Sequence, residues 1–147
     1  MKNILIADNA GFCFGVKRAM NVAWNELDKG DELSIYALGP LIHNKQAVAK
    51  YEERGMMTVD TIEELEKIEG QKARENSDTS KGREMIIRSH GVSKSVYDEA
   101  KLKGIPIIDT TCPFVRKIHY LANKCYEDGK QLIVIGDKNH PEIIGIN

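Results

Sequence analysis

Short apolar runs alternate with amphipathic stretches along the whole chain. Residues 3–7, 33–38, 56–59, 85–88, 105–108 and 132–135 form the runs, each of strand length. Between the first two, Val16, Ala19, Met20, Ala23 and Leu27 make one helical stripe. The spacing predicts a second helix over 45–54, closed by Gly55. A third begins behind Asp60 or Thr61, with acids in its first turn, and runs to Ile68. A fourth covers 93–103 and ends at Gly104. A fifth, capped by Thr110 or Thr111 with Pro113 in its first turn, runs to Asp128, and a last helix begins near Asn147.

Strands alternating with helices predict an α/β fold, with parallel sheets flanked by helices and right-handed crossovers. Neither heptads nor a solenoid period interrupts the rhythm. Residues 69–83 do interrupt it. GQKARENSDTSKGR contains almost no apolar residue, and a mobile surface loop is expected there.

Composition narrows the function classes. The 147 residues suffice for one ordinary core, and 41% hydrophobic with 29% charged residues is usual for a globular protein. A net charge of -1 gives no general attraction to nucleic acid or to an acidic membrane. The opening apolar run is too short for a signal segment or a membrane span, so a cytoplasmic location is expected. Three cysteines, Cys13, Cys112 and Cys125, are an odd number for a disulfide framework. Composition alone reads them as small core residues.

Their positions change that picture. Open parallel sheets bind ligands beyond the carboxyl ends of their strands. Of six strand-to-helix junctions, five carry a Cys or a His: Cys13, His43, His90, Cys112 and His140, with only the junction at 59–61 lacking one. Each residue alone has a plain alternative: a tight turn, packing, or a satisfied polar group near a helix end. Together they mark a site at the sheet edge. Cys125 falls on the apolar stripe of its helix, with Phe114, Val115, Ile118, Leu121 and Ala122, and reads as core. His119, beside that stripe, reads as structural or as a solvated flank.

A cysteine at a helix N-terminus has a favoured thiolate, which suits zinc or an iron–sulfur cluster. No CxxC pair is present, so ligands would have to meet in space from distant loops. The same helix N-termini, with His43, His90 and His140, suit a phosphate-bearing ligand. Glu142, two residues from His140, is a candidate proton donor.

The ordered motifs GFCFGVKRA (11–19), GPLIHN (39–44), RSHGV (88–92), DTTCPFV (109–115) and NHPEIIGI (139–146) span nearly the whole chain. On them the sequence resembles the 4-hydroxy-3-methylbut-2-enyl diphosphate reductases of the LytB type, from the non-mevalonate route to isoprenoids. The resemblance implies a three-domain architecture around a [4Fe–4S] cluster, with one cysteine from each domain and one iron left open for substrate. It implies Cys13 and Cys112 as cluster ligands, and His43, His90 and His140 as substrate-binding residues. Val115 would line the pocket, and His140 and Glu142 would relay and supply protons. The implied reaction is reductive dehydroxylation of an allylic diphosphate to isopentenyl and dimethylallyl diphosphate, with ferredoxin or flavodoxin as electron donor.

The resemblance also divides the chain. Residues 1–14 would be an N-terminal strand and the first cluster loop, 15–108 a complete α/β domain, and 109–147 the start of a second. The family's third ligand cysteine and part of its pocket lie beyond this stretch, and Cys125 does not replace the cysteine. The expectation is a chain inactive alone unless a C-terminal half completes it. Two other classes stay open at this point. One is a mononuclear zinc hydrolase using Cys13, Cys112 and a histidine with Glu142 as base. The other is a non-catalytic fragment of the reductase.

Overall fold

Ile35, Tyr36, Ala37 and Leu38 are buried in succession, so β1 (Leu33–Leu38) must lie inside a sheet covered on both faces. In the computed structural model, which describes residues 3–8, 10–30, 32–75 and 82–146, this is so. β1 lies between β2 (Met57–Val59) and β3 (Gly82–Ile87), and β4 (Ile107–Asp109) completes the order β2-β1-β3-β4. Every pairing is parallel, with Tyr36 opposite Met57 on one side and Met85 on the other.

Alternation along the strands builds two cores. Ile35, Ala37 and Ile86 face α1 (Phe14–Leu27) and α2 (Lys45–Glu52), where Ala19, Ala23, Val48 and Tyr51 close the first core. Tyr36, Leu38, Met85 and Ile87 face α3 (Ile62–Arg74) and α4 (Lys94–Leu102), where Ile62, Leu65 and Ala100 close the second. α5 (Pro113–Glu127) and α6 (Pro141–Ile146) follow β4 and pack on each other.

Three expectations need correction. Residues 3–7 and 132–135 form no strand among the described residues, and Leu5 and Ile135 are 95% and 94% exposed. A lone apolar run satisfies no backbone hydrogen bonds, and neither run has a strand beside it here. α3 does not stop at Ile68 but continues to Arg74. Glu69 and Lys72 turn back from it onto the buried Tyr36 hydroxyl, Lys72 Nζ at 3.0 Å, and Lys72 and Arg74 suit the helix C-terminus. Of the expected 69–83 loop, residues 76–81 lie outside the described residues.

The cap of α5 also differs. Cys112 itself is the N-cap with Pro113 in the first turn, while Thr110 and Thr111 are buried and Thr110 donates to the Ile87 carbonyl. Thr61 is the cap of α3, accepting from the Glu64 N–H at 3.2 Å. The α5 stripe is not core throughout. Val115 is buried, whereas Phe114, Ile118 and Leu121 are exposed and Cys125 is half-buried.

Candidate functional site

The order β2-β1-β3-β4 reverses direction between β1 and β3, so the loops leaving these two neighbours run apart and leave a crevice above the sheet. The loop after β1 ends in His43 and then Asn44, whose Oδ1 accepts from the Ala47 N–H at 3.0 Å and starts α2. The loop after β3 carries Arg88, Ser89 and His90. Their positions at adjacent strand ends bring His43 and His90 together, with ring centroids 4.5 Å apart.

His140 arrives from the other end of the chain. It immediately precedes α6, and its carbonyl accepts from Ile143 and Ile144. Its ring centroid lies 6.0 Å from that of His43 and 5.9 Å from that of His90. His140 Nδ1 accepts from the Glu142 N–H at 3.3 Å. In the neutral ring, the proton then sits on Nε2, the nitrogen free to donate elsewhere. Glu142 is half-buried beside it.

A cleft of about 560 Å³ opens at this point, with His43, His90, Asn44, Ile42, Phe12 and Val16 in its walls. Its electrostatics favour an anion. Burial, then the His43, Arg88 and His140 charges, push His90 down from its ordinary 6.5 to about 4. His90 Nδ1 is buried without a partner among the described residues, as is Arg88 Nε. A ligand with several acceptor oxygens would satisfy such donors and offset the crowding of positive charge.

The two cysteines lie beside this cleft. Cys13 is the exposed N-cap of α1 and Cys112 the half-buried N-cap of α5, neither with a side-chain capping bond. The Cys112 N–H donates to the Ser89 carbonyl at 2.8 Å, which ties its loop to the one that carries His90. A Cβ at Gly15 would fall 2.6 Å from Cys112 Sγ, so the first turn of α1 touches that sulfur. Arg18, one turn further on, points at the Thr111 carbonyl at 3.4 Å. Asp109 braces the loop from below by accepting from the Thr111 N–H at 2.8 Å and from Arg116 at 2.9 Å.

The structure thus brings His43, His90 and His140 together and ties the Cys112 loop to the His90 loop, while Cys13 and His140 follow runs that form no strand among the described residues. Val115 is buried in the first turns of α5 and forms no part of the cleft wall. Cys125 lies further along α5, away from the N-terminus that presents Cys112. Sequence reasoning passed over Arg88, Gly15 and Arg18. All three stand inside the recognised motifs, yet an arginine, a glycine or a helical cation carries no signal of its own before the neighbouring loop is known. Among the described residues, no three of His, Cys, Asp and Glu converge in metal-binding geometry.

Comparisons with known proteins match the chain along nearly its whole length. The family model described as LytB protein matches residues 4–147. A 4-hydroxy-3-methylbut-2-enyl diphosphate reductase of Clostridioides difficile (strain 630) is 57% identical over 145 residues, covering 99% of this chain and 47% of that protein. The solved E-1-hydroxy-2-methyl-but-2-enyl-4-diphosphate reductase of Plasmodium falciparum superposes with a TM-score of 0.79 at 29% identity, over 95% of this chain and 39% of that one. A second solved structure, an (E)-4-hydroxy-3-methyl-but-2-enyl diphosphate reductase, gives 0.73 at 36% identity, over 99% of this chain and 46% of that one. The chain spans about half the length of the curated relatives it matches.

Proposed function

The chain belongs to the LytB protein family, and on that premise we propose that it carries the diphosphate-binding part and two cluster ligands of a 4-hydroxy-3-methylbut-2-enyl diphosphate reductase. The observation that carries this reading is the convergence of three imidazoles from three separate loops, at 4.5, 6.0 and 5.9 Å between centroids, beside two helix-capping cysteines. On this reading, residues 15–108 are one α/β domain and 109–147 the start of a second, with residues 1–14 leading into the first cysteine.

His43, His90 and His140 bind the diphosphate. Ring N–H groups donate to its oxygens, and His90, whose pKa is lowered by burial and then by nearby charges, gains a proton when the anion arrives. His140, oriented through its Nδ1, keeps an Nε2 proton directed away from Glu142. Glu142 supplies the proton that departs with the allylic hydroxyl as water, and His140 relays a second toward the allylic carbon. Two electrons and two protons thus balance the loss of the hydroxyl and its replacement by hydrogen.

The donor chemistry fits two corners of a [4Fe–4S] cluster. Cys13 and Cys112 would hold it, since both stand as helix N-caps with no side-chain capping bond. When bound, such a cluster supplies the electrons and Lewis acidity that the dehydroxylation needs. Cys125, the third cysteine of the sequence, stands on the flank of α5, away from Cys112 at its N-cap. An acidic one-electron carrier of the ferredoxin or flavodoxin kind is the donor that this chemistry calls for. Among the described residues no helix is long and apolar enough to cross a membrane.

Anaerobic purification with iron and sulfide analysis, an electron spin resonance trace and calorimetric titration with the allylic diphosphate tests the reading. Substrate affinity that disappears in His43→Ala and His90→Ala supports it. Unchanged affinity in both variants would sink it.

A further inference from the structure

The mechanism leaves one histidine unused. His119 lies mid-way along α5, half-buried, with Nε2 enclosed and unpartnered among the described residues. Its ring edge is held between two glycines. A Cβ at Gly91 would fall 2.8 Å from His119 Cε1, and one at Gly145 would fall 3.2 Å from both Cε1 and Nε2. The same Cβ at Gly145 would lie 3.7 Å from the Gly91 carbonyl carbon, so the two glycines also approach each other across the ring edge.

These glycines differ in what demands them. Gly91 has φ +72°, which favours glycine whatever surrounds it. Gly145 carries no positive φ and is inside α6, where glycine weakens a helix relative to alanine. Backbone conformation therefore gives no reason for glycine at 145, while the His119 ring does. Gly91 directly follows His90, and Gly145 belongs to the helix that starts after His140 and contains Glu142.

We propose that His119 is a positioning residue whose imidazole spaces the His90 loop from α6 and thereby sets the separation of His90 and His140. The inference rests on the reading of the three histidines as a diphosphate site. Burial lowers the pKa of His119, against the Asp109 and Glu142 charges that raise it, which suits a neutral spacer more than a charged donor. α5 carries Cys112 at its N-cap and His119 along its length.

The test uses histidine-labelled protein, imidazole NMR and titration with inorganic pyrophosphate, on His119→Ala, Gly145→Ala and the double variant. Expected are loss of the His90–His140 ring contact and about tenfold weaker pyrophosphate binding in each single variant, a scale usual for misplaced binding groups. In the double variant the added methyl occupies the vacated space, so part of the contact and affinity returns, and the two effects do not add. His119→Gln, which retains a planar polar end, replaces His119→Ala if the latter does not fold. An intact ring contact with unchanged affinity in the His119 variant, or strictly additive losses in the double, would overturn the proposal. Failure of the parent protein to bind pyrophosphate would instead refute the diphosphate reading, while the ring contact would still report on His119.

Discussion

His43 and His90 hold their rings 4.5 Å apart from the ends of two neighbouring parallel strands. Burial first, and then the His43 charge beside it, lowers the pKa of His90, the more deeply placed of the two. His90 is thus set up to accept a proton together with an anion. His43→Ala or His90→Ala should weaken inorganic pyrophosphate binding by about 1.5–3 kcal/mol, the worth of a hydrogen bond to a charged group. Titration calorimetry measures it. His43→Ala should leave the thermal midpoint nearly unchanged because the residue is exposed.

The depressed pKa of His90 has a sign that can be worked out. Its folded value of about 4 lies below the ordinary 6.5, so between these values the unfolded chain binds a proton that the folded site refuses. Stability from this group is complete above about pH 6.5 and falls as pH drops toward about 4. A bound anion favours the imidazolium, so pyrophosphate should move the His90 titration upward. Imidazole NMR across this range, with and without pyrophosphate, reads both effects. A His90 resonance that titrates near its ordinary value in the free protein would contradict the burial seen here.

Gly15 tests the contact between the first turn of α1 and the Cys112 sulfur. A Cβ there would stand 2.6 Å from Sγ, a distance that forces movement. Gly15→Ala should cost about 1–3 kcal/mol by overpacking, although alanine is the better helix former. Denaturant unfolding gives the sign. A stabilised variant would show that Cys112 swings aside freely.

Much of this arrangement was legible in the residues. Four of the six apolar runs became strands, because period-two burial is a local consequence of sequence, and His43, His90 and His140 met in one cluster although only the first two follow strands. The other two runs, 3–7 and 132–135, are equally apolar, yet a strand exists only beside another strand, and that is a property of neighbours. The extent of α3 was hidden for a related reason. Glu69 and Lys72 read as loop polarity, but their partner is the Tyr36 hydroxyl from the middle of the sheet. Likewise, nothing near His119 in sequence announces Gly91 and Gly145 on either side of its ring.

Tyr36 makes that hidden contact measurable. Burial, followed by the Glu69 bond and charge, raises its pKa, so the phenol remains a neutral donor. Tyr36→Phe should destabilise the protein by about 0.5–1.5 kcal/mol, the net worth of an ordinary hydrogen bond. The loss stays small because Lys72 and Glu69 keep each other at 3.3 Å. Equilibrium unfolding measures it, and a loss well beyond that range would mean that the ring itself had shifted.

The cysteines separate cluster binding from packing. Cys13 and Cys112 cap α1 and α5, whereas Cys125 stands on the flank of α5. Single serine variants at 13 and 112 should each lower iron and sulfide bound after anaerobic reconstitution, because a two-cysteine anchor has no spare ligand. Cys125→Ser should bind as much iron as the parent and unfold at nearly the same midpoint, since the residue is only half-buried. Elemental analysis and the visible absorption of the reconstituted protein distinguish these results. Iron retained in the Cys13 and Cys112 variants but lost in Cys125→Ser would move the cluster site to the flank of α5 and undo the assignment made from the strand ends.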